Sequence, residues 1–288
     1  MLWEIEHSQS LVPMMSLPYS KERGACYITG HTLKMRGVGM QARFYVIGTG
    51  ALLMSLGTLT EASESLGNER NGREIYQMGK GDIPACAGCH AEDGLGLEDM
   101  GTPRLAYQVD TYILKQLTDF ASDKRQDNTQ SVMNDIAKSL SKQDRRDVAT
   151  YVHSLKTPFI GSDLETLRAD GVDVGKPYQG KMIAEYGAPE RGIPACQSCH
   201  DFHGRSAGRM YPALSGQRYT YLKHELEAFR LGATTSSAKD PMARDNDYHG
   251  QMRSVAARLS DEDIANVAAF LTVSSPVSPG NPRSPLRD

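Results

Sequence analysis

The sequence predicts an all-α chain made of two copies of one helical unit. Three observations lead there. The ten residues GDIPACAGCH at 81–90 return as RGIPACQSCH at 191–200. The segment from Pro103 to Phe120 aligns without a gap on the segment from Pro212 to Phe229, sharing Pro, Leu, Gln, Thr, Tyr, Leu and Phe. Finally, no part of either copy alternates apolar and polar residues over a strand's length, whereas apolar residues recur at helical spacing.

Each unit opens with a short helix, around NGREIYQMG from Asn71 in the first and GKMIAEYGA from Gly180 in the second. The repeated motif follows, then a loop and another helix. On that helix Ile113, Leu117 and Phe120 recur as Leu222, Leu226 and Phe229, a four-then-three spacing that lines one helix face. A further loop leads to a short and a long helix. MNDIAKSLSKQDRRDVATYV from Met133 and MRSVAARLSDEDIANVAAFL from Met252 share Met, Ala, Leu, Ser, Asp, Val and Ala at equal offsets. Ser141 stands three residues before Asp144, and Ser260 three before Asp263. In that pattern the hydroxyl and the acid each satisfy a backbone N–H left free at a helix start. Val148, Tyr151, Val152 and Leu155 in the first copy, and Val267, Phe270 and Leu271 in the second, then supply a buried face.

These landmarks divide the chain into units at 63–157 and 176–273, with a linker at 158–175 marked by Pro and Gly. The tail at 274–288 has four prolines in 15 residues and is expected to be extended or disordered. Ahead of the first unit, KMRGVGMQAR at 34–43 leads into the 16-residue run Phe44–Leu59, and TEASES offers a cleavage site after Ala62. This order of basic, apolar and small residues predicts a signal peptide at 35–62 and export to the periplasm. A retained anchor would want about 20 strongly apolar residues. Residues 1–34 would make an n-region far too long, so Met35 or Met40 is the expected start, and 1–34, with Cys26, the upstream extension outside the mature protein.

At 39% hydrophobic, 23% charged and net charge −3, the chain reads as soluble and globular. Beyond residue 62 there are 27 basic and 31 acidic residues, a net charge of −4. No nucleic-acid partner is expected, since one calls for a strongly basic face.

Four of the five cysteines, Cys86, Cys89, Cys196 and Cys199, lie in the two motifs, so no disulfide framework is needed. C-x-x-C-H is the attachment signature for c-type haem. Cysteines at i and i+3 with histidine at i+4 fall on one side of a helical turn, within reach of one porphyrin edge and its iron. The thiols become thioethers, and His90 and His200 become the proximal ligands of two haems. A zinc ribbon would place its cysteine pairs about 15 to 20 residues apart and gives the histidines no role. A redox dithiol calls for alternating strands and helices, which the sequence does not carry. Each unit has roughly 100 residues and short apolar stripes, so haem would also complete an otherwise thin core.

For the opposite iron position, Met133 and Met252 hold equivalent places in the repeat, far enough downstream for the chain to wrap round to the other haem face. His/Met is a recognised axial pair. Met100 and Met210 lie only ten residues after the histidines, and Met242 is the rival in the second unit. His153, His203, His224 and His249 have no repeat partners and are expected at the surface or in hydrogen bonds.

With these motifs on the page, the chain resembles the dihaem cytochromes of the c4 group over residues 68–273, as two tandem class I cytochrome c domains each wrapped round one haem. The resemblance rests on IPACxxCH, P-x-L-x-x-Q and M-x-x-[IV]-A-x-x-L-S-x-x-D, each present twice. It implies that the backbone carbonyls of Pro103 and Pro212 accept the proximal histidine bonds. It also offers Tyr112, Tyr221, Gln108, Gln217 and Arg230 as haem or propionate contacts. The first unit departs from the pattern: DFASDKRQDNTQSVM is ten residues shorter than AFRLGATTSSAKDPMARDNDYHGQM and lacks its FRLG turn.

The expected function is a periplasmic electron carrier and not an enzyme, because a filled sixth position leaves no open iron for substrate. The resemblance implies a quinol-oxidising cytochrome bc complex as donor and a terminal oxidase as acceptor, with peripheral membrane association left open. The alternatives are an electron-transfer subunit of a periplasmic dehydrogenase or oxidase complex, and a dihaem enzyme such as a peroxidase or thiosulfate dehydrogenase.

Overall fold

Capping side chains decide where the helices begin. Asn68 accepts hydrogen bonds from the N–H groups of Arg70 and Asn71, so α1 (Glu69–Met78) starts two residues ahead of Asn71. The motif turn α2 (Ala87–His90) follows, then α3 (Asp110–Ala121), α4 (Met133–Ser139) and α5 (Lys142–Ser154). The second copy repeats the order. Proline in its first turn starts α7 (Pro177–Tyr186) three residues ahead of Gly180, and α8 (Gln197–His200), α9 (Tyr219–Gly232), α10 (Gln251–Ala256) and α11 (Asp261–Val273) follow. The structure is a computed structural model and describes residues 67–128, 132–157, 161–206 and 210–276, with no β-strand among them. The expected leader and upstream extension, and the tail beyond 276, lie outside the described residues.

The reciprocal Ser–Asp capping boxes are present at the starts of α5 and α11. These long helices carry each unit's core. α1 crosses α5, and α7 crosses α11. Glycine makes each crossing close: a Cβ at Gly72 would lie 2.0 Å from the Asp147 carbonyl oxygen, and one at Gly180 would lie 1.8 Å from that of Asn266. Ile75, Tyr76, Leu117, Val148, Tyr151 and Val152 fill the first core, and Ile183, Tyr219, Leu222, Ile264, Val267 and Phe270 fill the second.

One element differs from the sequence expectation. The segment read as linker contains α6 (Leu164–Ala169), capped by Asp163, with Leu164 and Leu167 buried in the second core. Gly171, at φ 83°, turns the chain after α6, but two leucines three apart share a helix face and bury together. The segment is therefore part of the second unit's packing. No helix among the described residues is long and apolar enough to cross a membrane.

Candidate functional site

The two motif turns are bonded alike. The N–H groups of Cys89 and His90 donate to the Cys86 carbonyl at 3.2 and 2.9 Å, and those of Cys199 and His200 to the Cys196 carbonyl at 3.2 and 3.0 Å. Each turn stops at a non-glycine residue with φ of 63°, Ala91 and Asp201. That conformation is unfavourable for an L-residue, and its recurrence at matched positions marks a constraint kept in both copies. All four cysteines and both histidines of the motifs line one joined, mostly apolar cavity that runs through both units.

His90 and His200 are buried. Their Nδ1 atoms lie 3.1 Å from the Pro103 carbonyl oxygen and 3.0 Å from that of Pro212. A carbonyl only accepts, so Nδ1 carries the proton and Nε2 keeps its lone pair. Burial lowers both imidazole pKa values against the upward pull of the carbonyls, which favours the neutral ring that a metal requires. The cysteines are free and half-buried. Burial pushes the thiols of Cys86 and Cys196 up to about 11. That is the reverse of a reactive dithiol, whose thiolate is stabilised.

Met133 is the first residue of α4 and packs half-buried against the first core. Met252 lies in α10, and both sulfur-bearing side chains line the cavity, as do Met100 and Met210. Met242 is exposed and is not among the lining residues. The unmatched histidines have local roles: His153 Nδ1 lies 2.9 Å from the Gln108 carbonyl, and His203 Nε2 lies 2.9 Å from Glu185 Oε1. His224 Nε2 is buried without a hydrogen-bond partner, and His249 sits in a 3₁₀ turn at φ 53°.

Four of the residues offered as haem contacts, Gln108, Tyr112, Gln217 and Tyr221, line the cavity and also join the two units. Gln108 Nε2 donates to the Ala213 carbonyl at 3.0 Å, while its Oε1 accepts from the Ala213 N–H at 2.9 Å. Gln217 repeats this on Arg104, accepting from the N–H at 2.6 Å and donating to the carbonyl at 2.9 Å. Each glutamine thus satisfies a buried backbone pair of the other unit. Tyr112 OH accepts from Arg244 at 3.1 Å, and Tyr221 OH from Arg125 at 3.2 Å. Arg230 lies outside the cavity lining and pairs with Asp261 at 2.6 Å. Equal spacing in the repeat could mark these residues as important, but not which partner they meet.

Sequence reading missed the charged cluster between the units. Glu225 of α9 is bonded to both Arg125 and Arg244, and Gln116 of α3 accepts from the same two guanidiniums at 2.9 and 3.1 Å. Burial would push Glu225 up, but the two cations outweigh it and hold the carboxyl well below the usual range. Arg104, 3% exposed, also lines the cavity, and its Nη1 has no partner. Three buried guanidiniums, Arg104, Arg125 and Arg244, line the cavity with the carboxylates of Glu225 and Asp247, and Asp247 pairs with Arg253. Uncompensated charge in such a place is costly, so the donor set fits a group that brings carboxylates, as a haem does with its propionates.

Comparison with known proteins agrees with this geometry. The cytochrome c family matches residues 69–156 and 193–274. Cytochrome c4 of Pseudomonas aeruginosa is 38% identical over 224 residues, covering 77% of this chain and 95% of that protein. A thiosulfate dehydrogenase electron acceptor of Stutzerimonas stutzeri is 33% identical over 202 residues, covering 69% of this chain and 84% of that one. The crystal structure of reduced recombinant cytochrome c4 from Pseudomonas stutzeri is similar with a TM-score of 0.55 at 28% identity, over 73% of this chain and all of that one.

Proposed function

Because the chain belongs to the cytochrome c family, as a two-haem electron carrier of the cytochrome c4 type, we propose that it works in the periplasm between a quinol-oxidising cytochrome bc complex and a terminal oxidase. The carrying observation is the duplicated motif turn, with both imidazoles, Met133 and Met252 lining one cavity. When bound, the two haem c groups supply a one-electron iron couple each. Cys86 and Cys89 attach the first, and Cys196 and Cys199 the second. Nε2 of His90 and of His200 serves as the proximal ligand, and the carbonyls of Pro103 and Pro212 fix the ring orientation and tautomer. Met133 and Met252 would be the second protein ligand to each iron, which would keep substrates off the metal, and thioether ligation would favour the ferrous state. The apolar lining excludes water. The signal sequence at 35–62 supports export, and mass spectrometry of the exported protein is expected to find a chain starting near Ser63.

A second reading of the donor is favoured by the Stutzerimonas stutzeri relative, which is named an electron acceptor of thiosulfate dehydrogenase. Here the chain is still a carrier, but a periplasmic dehydrogenase fills it. Rapid mixing separates the readings. Oxidised holoprotein is mixed with bc complex and quinol, or with thiosulfate dehydrogenase and thiosulfate, and haem reduction is followed optically. Fast reduction by one system names the donor, and reoxidation by a terminal oxidase completes the carrier cycle. Turnover of peroxide or thiosulfate by the protein alone sinks the carrier reading.

A further inference from the structure

The two copies differ where they matter to each other. Arg104, directly after Pro103, has Ala213 as its counterpart after Pro212. The guanidinium is 3% exposed, lines the cavity and leaves Nη1 without a partner. The groups that act on it are Tyr107, whose ring centroid lies 5.8 Å away, and another cation, Arg218. Arg218 is itself held to the first unit, donating to the Leu95 and Gly96 carbonyls at 2.8 and 2.9 Å. Burial and Arg218 both work against this charge, and among the described residues no carboxylate offsets them. A buried, unpaired guanidinium is costly enough to expect an anion beside it, and the second unit has neither the cation nor the cost.

We propose that Arg104 is a positioning residue that binds a propionate of the haem held by His90 and sets that haem's potential above the value its unit would otherwise give, so that the Arg104/Ala213 difference makes the two haems unequal. This rests on the two-haem carrier reading. The cation stands next in sequence to the carbonyl that holds His90, and the ring beside it, Tyr107, belongs to the first unit. A fixed positive charge in a low-dielectric site favours the state with one more electron, and salt screens it little because it is buried. By contrast, Glu225 contacts Arg125 and Arg244, one from each unit.

The test is a redox titration of the holoprotein and two variants. Arg104→Met keeps length and drops the charge, and Arg104→Lys keeps the charge. Proton NMR of the haem methyl groups, assigned through contacts with Ile113 in the first unit and Leu222 in the second, reads each haem separately. Arg104→Met is expected to lower the reduction equilibrium of the first haem about tenfold, about 59 mV for a one-electron couple, and to move the second less than about twofold. Arg104→Lys is expected to stay within about twofold at both, and the methionine shift is expected to persist at high salt. A purely structural arginine would lower the unfolding temperature of Arg104→Met without moving one haem selectively, and that result overturns the proposal. So does an equal shift of both haems, or an Arg104→Lys shift as large as that of methionine. Two wild-type haems that titrate at one potential also overturn it, whereas a wild-type protein that takes up fewer than two electrons per chain defeats the carrier reading itself, an outcome distinct from these.

Discussion

Gln108 and Ala213 are closed into a ring by two hydrogen bonds, side-chain amide to backbone, at 3.0 and 2.9 Å across the junction between the units. The same ring formed by Gln217 on Arg104 makes the junction reciprocal. Either glutamine changed to alanine strands one buried N–H and one buried C=O. Each such group costs about 1–3 kcal/mol, so either change is expected to destabilise the junction by about 2–6 kcal/mol. Calorimetry is expected to show one cooperative transition in the wild type, and two separated transitions in the Gln108→Ala, Gln217→Ala double variant. A double variant that melts as the wild type does would show that the junction contributes nothing.

Glu225 couples this junction to acid. Its folded-state pKa lies below the 4.5 of a free glutamate, toward about 2. The stability it contributes is therefore fully present above 4.5 and is lost as pH falls toward the folded value. Removing one partner of a buried charge network costs about 3–5 kcal/mol. Glu225→Gln, which gives α9 the residue of the equivalent place in α3, is expected to cost about that much at neutral pH. It should also flatten the acid limb of a plot of denaturation midpoint against pH. An unchanged acid limb would mean that other carboxylates dominate.

Replacing Cys196 and Cys199 with alanine is expected to halve covalent haem staining and leave a protein one haem lighter by mass. The second core is expected to loosen as well, because Cys196 packs against it. A binding partner of the native state stabilises it by mass action, so thermal unfolding should begin in the second unit. Unchanged haem stoichiometry would place attachment elsewhere.

Met133→Ala is expected to open the first haem to carbon monoxide while the second stays closed, and Met252→Ala to do the reverse. Each change should lower the potential of its own haem, because the ligand that favours ferrous iron is gone. Optical titration of the ferrous protein with carbon monoxide reads both. Binding by the unchanged protein would defeat the closed-carrier reading and favour a haem enzyme. If Met100→Ala or Met210→Ala opens a haem instead, the sixth ligand is reassigned, since these also line the cavity.

What the sequence by itself determined is local. The helices and the two motif turns follow from residues no more than a few positions apart: cysteines at i and i+3 with histidine at i+4, serine three before aspartate, apolar residues four and three apart. Those spacings act through one helical turn, so they can be read without knowing what the turn faces. Tertiary structure decided which side chains meet across more than 100 positions. Gln108 and Gln217, Tyr112 and Tyr221 stood out in the repeat, but only the tertiary structure brought them against Ala213, Arg104, Arg244 and Arg125 of the other unit while they line the cavity. The same holds for α6, whose leucines look like linker until the second core covers them. Nothing in the sequence singles out Arg104, and only the folded interior buries it and leaves its Nη1 unpaired. Burial and electrostatic compensation are properties of the assembled interior, where the cost of a charge depends on every group around it.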